Sequence, residues 1–408
     1  MEIERYTLVT GKSVEKNLVG KVKWIAIVFA ISVFLTLIWP AWMTTAGNLI
    51  AVLLFSNSIE TSQLRMYGLV ITILLMISTF IVFRLKKTYA ILEKISQIGL
   101  LTSLAIIVLV VILNFEPKYF IEGIKGLFAW GYIPEGLSRF DFLGALAFGG
   151  VAGVLNLVQS EWIREKKYGA AGLAESEQEL IEYSSKKSKK NFKDWFKIIN
   201  KEHFLLFFCA NLFSIFLLAF LGRILLPLGS VQGFGVLSQE ILILNSKIYY
   251  TGTIFGISCI ILFMMANLVI LDVMGRLSYQ LLYPIRKSGK LKKLTSSHLS
   301  TIGIILGILI LISSLVFPQF KQPYFLLIIA ASLSAMTMWL YPPLLLKMNL
   351  RLHPNVRPSK LRIIMVWVAT LFYGLFSLWA LLTLLPVVIV VLIGILVTSY
   401  QISFLLKK

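Results

Sequence analysis

Apolar and polar positions fall into long blocks along this chain instead of alternating over short elements. Ten apolar runs stand out, at roughly 24–55, 66–85, 90–114, 141–160, 203–228, 250–275, 298–317, 323–346, 361–381 and 384–406. About 20 apolar residues, at ~1.5 Å rise each, match the ~30 Å hydrocarbon core of a bilayer, so each run predicts a transmembrane helix. The first run is longer than that and predicts a helix that tilts or projects beyond the bilayer. The fold class expected is an all-α polytopic membrane protein, with residues 1–408 as a single transmembrane domain.

Composition agrees: 58% of the 408 residues are hydrophobic, 14% are charged, and the mean hydropathy is +0.85. A formal charge of +20 raises the question of nucleic acid. The distribution of the basic residues answers it. Of 39 Lys and Arg, 32 fall at the N-terminus, in alternate loops and at the C-terminus, whereas six fall on the opposite side of the ten spans. This is the positive-inside asymmetry of a membrane protein, with both termini cytoplasmic and the lipid bilayer, not nucleic acid, as partner. Residues 1–23 read as a cytoplasmic N-terminal segment and 161–201 as a basic cytoplasmic loop. Within that loop, "SSKKSKKNFKDWFKIINK" is either solvated or, through Phe192, Trp195 and Phe196, laid on an anionic leaflet. Cys209 and Cys259 lie inside spans and read as packing residues.

Polar residues inside the spans are where function is sought. The run 141–160 carries Gly149, Gly150, Gly153, Asn156 and Gln159. Glycine weakens a helix by about 1 kcal/mol against alanine. It serves either close helix packing, as Gly149 and Gly153 are four apart, or an unwound segment whose carbonyls face a substrate. The two amides favour a lined cavity, since an amide facing lipid is costly. Asp272 and Arg276, at i and i+4, can pair on one helix face as a structural anchor or as a gate. Ser332, Ser334 and Thr337 precede Tyr341-Pro342-Pro343, where the prolines are expected to kink or end the helix. His203, His298 and His353 fall at span edges or in loops, and no catalytic triad, phosphate loop or zinc motif is present. The reading is therefore not an enzyme, with no catalytic residue and no cofactor.

Several stretches, taken in order, resemble the Nramp divalent-metal transporters. "VTGK" (9–12) is similar to the end of the family's second helix, and "RLKKTYAILEKISQIG" (84–99) to its basic turn into the fifth. "GLFAWGYIP" (126–134) followed by "GGVAGVLNLVQSEWIREKKYG" resembles the sixth helix of a divergent prokaryotic branch. "NLVILDVMGRLSYQLL" (267–282) and "LSAMTMWLYPPLLLKMNLRLHPNVRP" (333–358) fit that branch as well. The resemblance implies a LeuT-type fold of two inverted repeats around a midplane site made by broken first and sixth helices. It also implies that two helices precede "VTGK", whereas eight residues do here, so the first repeat is expected to be incomplete. Where family members carry Met-Pro-His-Asn in the sixth helix, this chain carries Gly153, Val154, Leu155 and Asn156.

The function expected is secondary-active transport of divalent metal cations by alternating access around a broken helix at 141–160, in a prokaryotic inner membrane. The metal-site candidates are Gly150, Gly153, Asn156 and Gln159, with Asp272 and Arg276 gating or structural. The rival readings are a LeuT-fold carrier of a small organic solute and a truncated, non-transporting membrane protein.

Overall fold

The structure is a computed structural model describing residues 1–18, 23–55, 61–84, 88–129, 131–132, 139–146, 153–173, 183–226, 235–287, 293–317, 320 and 323–382. Its described residues are helices and connections. Eight helical segments among them are long and apolar enough to cross a membrane: Phe29–Phe55, Gln63–Phe83, Lys94–Leu113, Lys186–Leu225, Thr251–Leu281, Ser296–Ser313, Pro323–Leu350 and Lys360–Trp379. The tenth predicted span, 384–406, lies outside the described residues.

The first predicted span is not one tilted helix. It is α3 (Lys23–Leu37) and α4 (Ala41–Phe55), separated by a non-helical bend at 38–40. Pro40 lacks an N–H and disfavours helical backbone at the residue before it, which accounts for the interruption. The chain then runs back as α5 (Thr61–Arg84) and returns as α6 (Thr88–Leu113). A short surface helix, α7 (Pro117–Gly126), follows.

The N-terminal segment is folded and mostly buried. α1 (Glu2–Thr10) ends at Gly11, whose left-handed backbone (φ 66°) lets its N–H cap the Thr7 carbonyl at 2.8 Å. α2 (Val14–Leu18) follows directly. Glu2, Glu4, Arg5, Thr7, Ser13 and Glu15 are all buried. Arg5 and Glu2 offset their burial by pairing: Arg5 binds Glu2 at 2.8 Å and the Val356 carbonyl at 2.9 Å.

The basic loop 161–201 is likewise more than a solvated loop. It contains α9 (Gln159–Glu165) at its start and α10 (Lys186–Glu202) at its end. Ser185 caps α10 by accepting the Ser188 N–H at 3.1 Å. The aromatic residues proposed for a leaflet face the protein instead. The Arg5 guanidinium lies 4.4 Å from the Phe196 ring centre and 5.7 Å from that of Phe192, and Trp195 stacks on Tyr168 at 4.7 Å. The lipid-surface reading of these three residues is thereby overturned: α1 occupies the face.

α10 continues through a π-helical stretch, His203–Ala210, into α11 (Asn211–Leu225). Beyond it lie α12 (Gly235–Lys247), the long α13 (Thr251–Leu281), the single turn α14 (Tyr283–Lys287) and α15 (Ser296–Ser313). α16 (Pro323–Leu350) and α17 (Lys360–Leu381) complete the described helices. α13 and α16 form the centre. Met274, Leu277, Ala335 and Leu345 pack there with Leu143, Val154 and Leu157 in one core. Pro342 and Pro343 do not end α16, which runs through them to Leu350. Their missing N–H groups leave the Met338 and Trp339 carbonyls without the usual helical donor.

Candidate functional site

The predicted span 141–160 is not a continuous helix. α8 (Arg139–Leu146) covers its first part, and the chain resumes at 153 as a 3-10 turn, Gly153–Val158, that leads into α9. Gly149 and Gly150 lie outside the described residues. Gly153 has φ 53°, a left-handed conformation that other residues adopt only at a cost.

That break is held against α16. The Val154 N–H donates to the Ser334 hydroxyl at 2.9 Å, and both residues are buried. A side chain on Gly153 would run into the Ser334 side chain, with the Ser334 backbone carbon only 2.8 Å from its Cβ. At Gly153 the backbone turns out of helical geometry, and a neighbouring helix fills the space of a Cβ.

One helical turn further along α16, the Asn156 amide points its Nδ2 at the Met338 thioether, 3.7 Å away. The Tyr341 hydroxyl reaches the same sulfur at 3.0 Å. Asn156, Met338 and Tyr341 thus form a polar cluster beside the break, in a region otherwise packed with aliphatic side chains. Among the described residues no group of three or more His, Cys, Asp and Glu is gathered to hold a metal ion. Any cation at this site would meet amide and carbonyl oxygens and a thioether.

Gln159 is not part of that cluster. It lines a cavity of about 320 Å³ with Ser96, Gln97, His203 and Asp272. Asp272 and Arg276 do form the i, i+4 pair, with Nε donating to Oδ2 at 2.7 Å. Arg276 also donates to Glu165 at 2.9 Å, so one guanidinium ties α13 to α9. His203 contacts Glu4 of α1 at 2.7 Å at the start of the π-helical stretch. The candidates therefore separate into two places, the break with Asn156 and the cavity with Gln159 and Asp272.

Sequence reasoning passed over Met338, the partner of Asn156. A methionine in an apolar span carries no signal by itself. Its position one turn before Pro342-Pro343 is the only local hint.

No family model matches the chain, and no curated protein matches its sequence. Its fold does match solved structures of a manganese transporter from Eremococcus coleocola. Two of these are mutants of that transporter, with TM-scores of 0.64 and 0.63. A third is its complex with an aromatic bis-isothiourea substituted compound, at a TM-score of 0.61. In each case the identity is 14%, and the match covers 99% of this chain and 83% of the other. The chain shares the all-helical fold of that protein.

Proposed function

We propose that this protein carries divalent metal cations across a membrane by alternating access around the break between α8 and α9. The observation that carries the reading is the juxtaposition of Asn156 and Met338 beside a helix interrupted within the apolar region. An interrupted helix frees carbonyls, and an amide adds a further oxygen, which suits hard and borderline cations alike. A thioether favours softer transition metals over calcium and magnesium. Family members carry their thioether in the sixth helix, whereas this chain offers Met338 from α16. The ligands in this reading are the Asn156 amide oxygen, backbone carbonyls near Gly150 and Gly153, and the Met338 sulfur. Gln159 and Asp272 line the access route, and Arg276 fixes α9 to α13.

Support for the class of function comes from the fold shared with a manganese transporter, at an identity too low to transfer its substrate. In this reading α1 corresponds to the end of the family's second helix. The Lys and Arg asymmetry supports cytoplasmic termini.

The test is uptake of Mn²⁺ into liposomes reconstituted with the full chain, against empty liposomes. Uptake that falls about tenfold in Asn156→Ala, a loss of ~1.4 kcal/mol of binding, supports the site. Met338→Ala should lower Mn²⁺ uptake while leaving Ca²⁺ uptake unchanged or raised. Absence of metal uptake, together with a thermal shift on adding a small organic solute, would move the reading to an organic-solute carrier.

A further inference from the structure

Below the break, α1 and α2 carry buried polar groups that metal transport does not use. Ser160 is the junction. Its hydroxyl accepts the Val14 N–H at 2.9 Å and lies 2.9 Å from the Thr7 hydroxyl, tying the first turn of α9 to both N-terminal helices. The adjoining Glu161 is well supplied with donors. Arg164 Nη1 reaches its two oxygens at 2.9 and 3.1 Å, and the Gln280 amide of α13 reaches it at 3.3 Å.

Glu15, on α2, has the opposite surroundings. It is wholly buried, with 0% exposure. Its Oε2 accepts the Ser13 hydroxyl at 2.6 Å, and its Oε1 is buried with no hydrogen-bond partner. Burial first, and then the charge of Glu161, push the Glu15 carboxyl up to about 8, with Ser13 and Arg164 pulling the other way. The remaining charged groups on the surrounding helices are engaged elsewhere. Glu2 pairs with Arg5 and Arg362, Glu4 with His203, and Asp272 and Glu165 with Arg276. Lys16 of α2 lies over the Tyr283 ring at 4.0 Å. Lys347 is the sole charged residue of α16.

A carboxylate with an orphaned oxygen in a dry site, under the repulsion of a second carboxylate, is unstable, and the same group carrying a proton is not. We propose that Glu15 is a proton-binding site that latches α9 to α2: protonated, it lets Glu161 and Ser160 sit against the N-terminal helices, and ionised, it repels Glu161 and frees α9. Solvent supplies and takes back the proton, so no other reactant is needed. The inference rests on the packing of α2 and α9, not on the metal reading, and its test uses no transported substrate.

The full chain, purified in detergent, is compared at about two pH units below and above the Glu15 transition. Infrared difference spectra of the Glu240→Gln chain, which lacks the other raised carboxyl, should show a carboxylic-acid C=O band that disappears at high pH, and adding Glu15→Gln should abolish that change. Hydrogen exchange in α9 should lose protection by up to about tenfold per pH unit between the ordinary carboxyl value of 4.5 and the transition, beyond base catalysis, and level off above it, in the native chain and not in Glu15→Gln. Ser13→Ala removes a donor that favours the ionised form, so it should move both transitions to higher pH. An infrared change that persists when Glu15→Gln is added overturns the proposal. So does α9 protection that follows the same course in both proteins. If Glu15→Gln does not fold, an unmoved transition in Ser13→Ala overturns it instead.

Discussion

Gly153 and Ser334 approach so closely that the space of a Cβ on residue 153 is already taken by the serine, while the next N–H, that of Val154, is capped by the same hydroxyl at 2.9 Å. The break in the membrane helix and its docking on α16 are therefore one feature. Gly153→Ala forces a left-handed backbone onto a residue with a Cβ, at ~1–2 kcal/mol, before any clash is counted. Ser334→Ala instead strands a buried N–H, at ~1–3 kcal/mol. Both variants should unfold at lower temperature than the native protein in detergent, with Gly153→Ala the more damaged. An unchanged melting temperature for Gly153→Ala would mean that the turn at 153 is not as described, and would favour a non-transporting scaffold.

Arg5 is the hub of the N-terminal helix. It pairs with Glu2, donates to the carbonyls of Val356 and Arg357, and covers the rings of Phe192 and Phe196. Removing it leaves Glu2 buried with Arg362 as its remaining ion-pair partner. Breaking a buried pair of this kind typically removes ~3–5 kcal/mol. Arg5→Ala should therefore release α10 as well as α1, seen as faster proteolysis between Lys186 and Lys201. Arg5→Lys should rescue little, because an ammonium cannot replace a planar fork that bridges carboxylate, carbonyls and rings. Full rescue by lysine would reduce the contact to simple charge pairing.

Glu240, on α12, is 3% exposed, and burial pushes its carboxyl from 4.5 to about 7. Between those values the folded chain keeps a proton that the unfolded chain releases. Stability from this group therefore falls as pH rises through that window and is level above it. Glu240→Gln lacks this loss, so its melting temperature relative to the native protein should rise from about pH 5 to about pH 7.5. A difference that stays constant over that range would show that Glu240 titrates at its ordinary value.

Much of the architecture was legible from the chain alone. Eight of the apolar runs became helical segments long enough to cross a membrane, and the glycine-rich run 141–160 is interrupted as its glycines suggested. Asp272 and Arg276 paired as their spacing suggested. The misreadings share a cause. The helical path through Pro342 and Pro343 and the burial of the polar residues between Glu2 and Glu15 depend on which neighbours are present, and hydropathy does not record neighbours; the bend at 38–40 was legible in Pro40 and overlooked. A polar segment reads as solvated until its partners are known.

The sequence by itself determined which segments are apolar enough to span a membrane, because each residue facing lipid must be apolar on its own account. Tertiary structure alone decided the chemistry. Asn156 and Met338 are 182 residues apart, and Val14 and Ser160 are 146 apart. No local pattern ties such pairs together. Only the packing of the 153–158 turn against α13 and α16 brings the amide to the thioether, and only the docking of α9 on the N-terminal helices brings Ser160 to Val14.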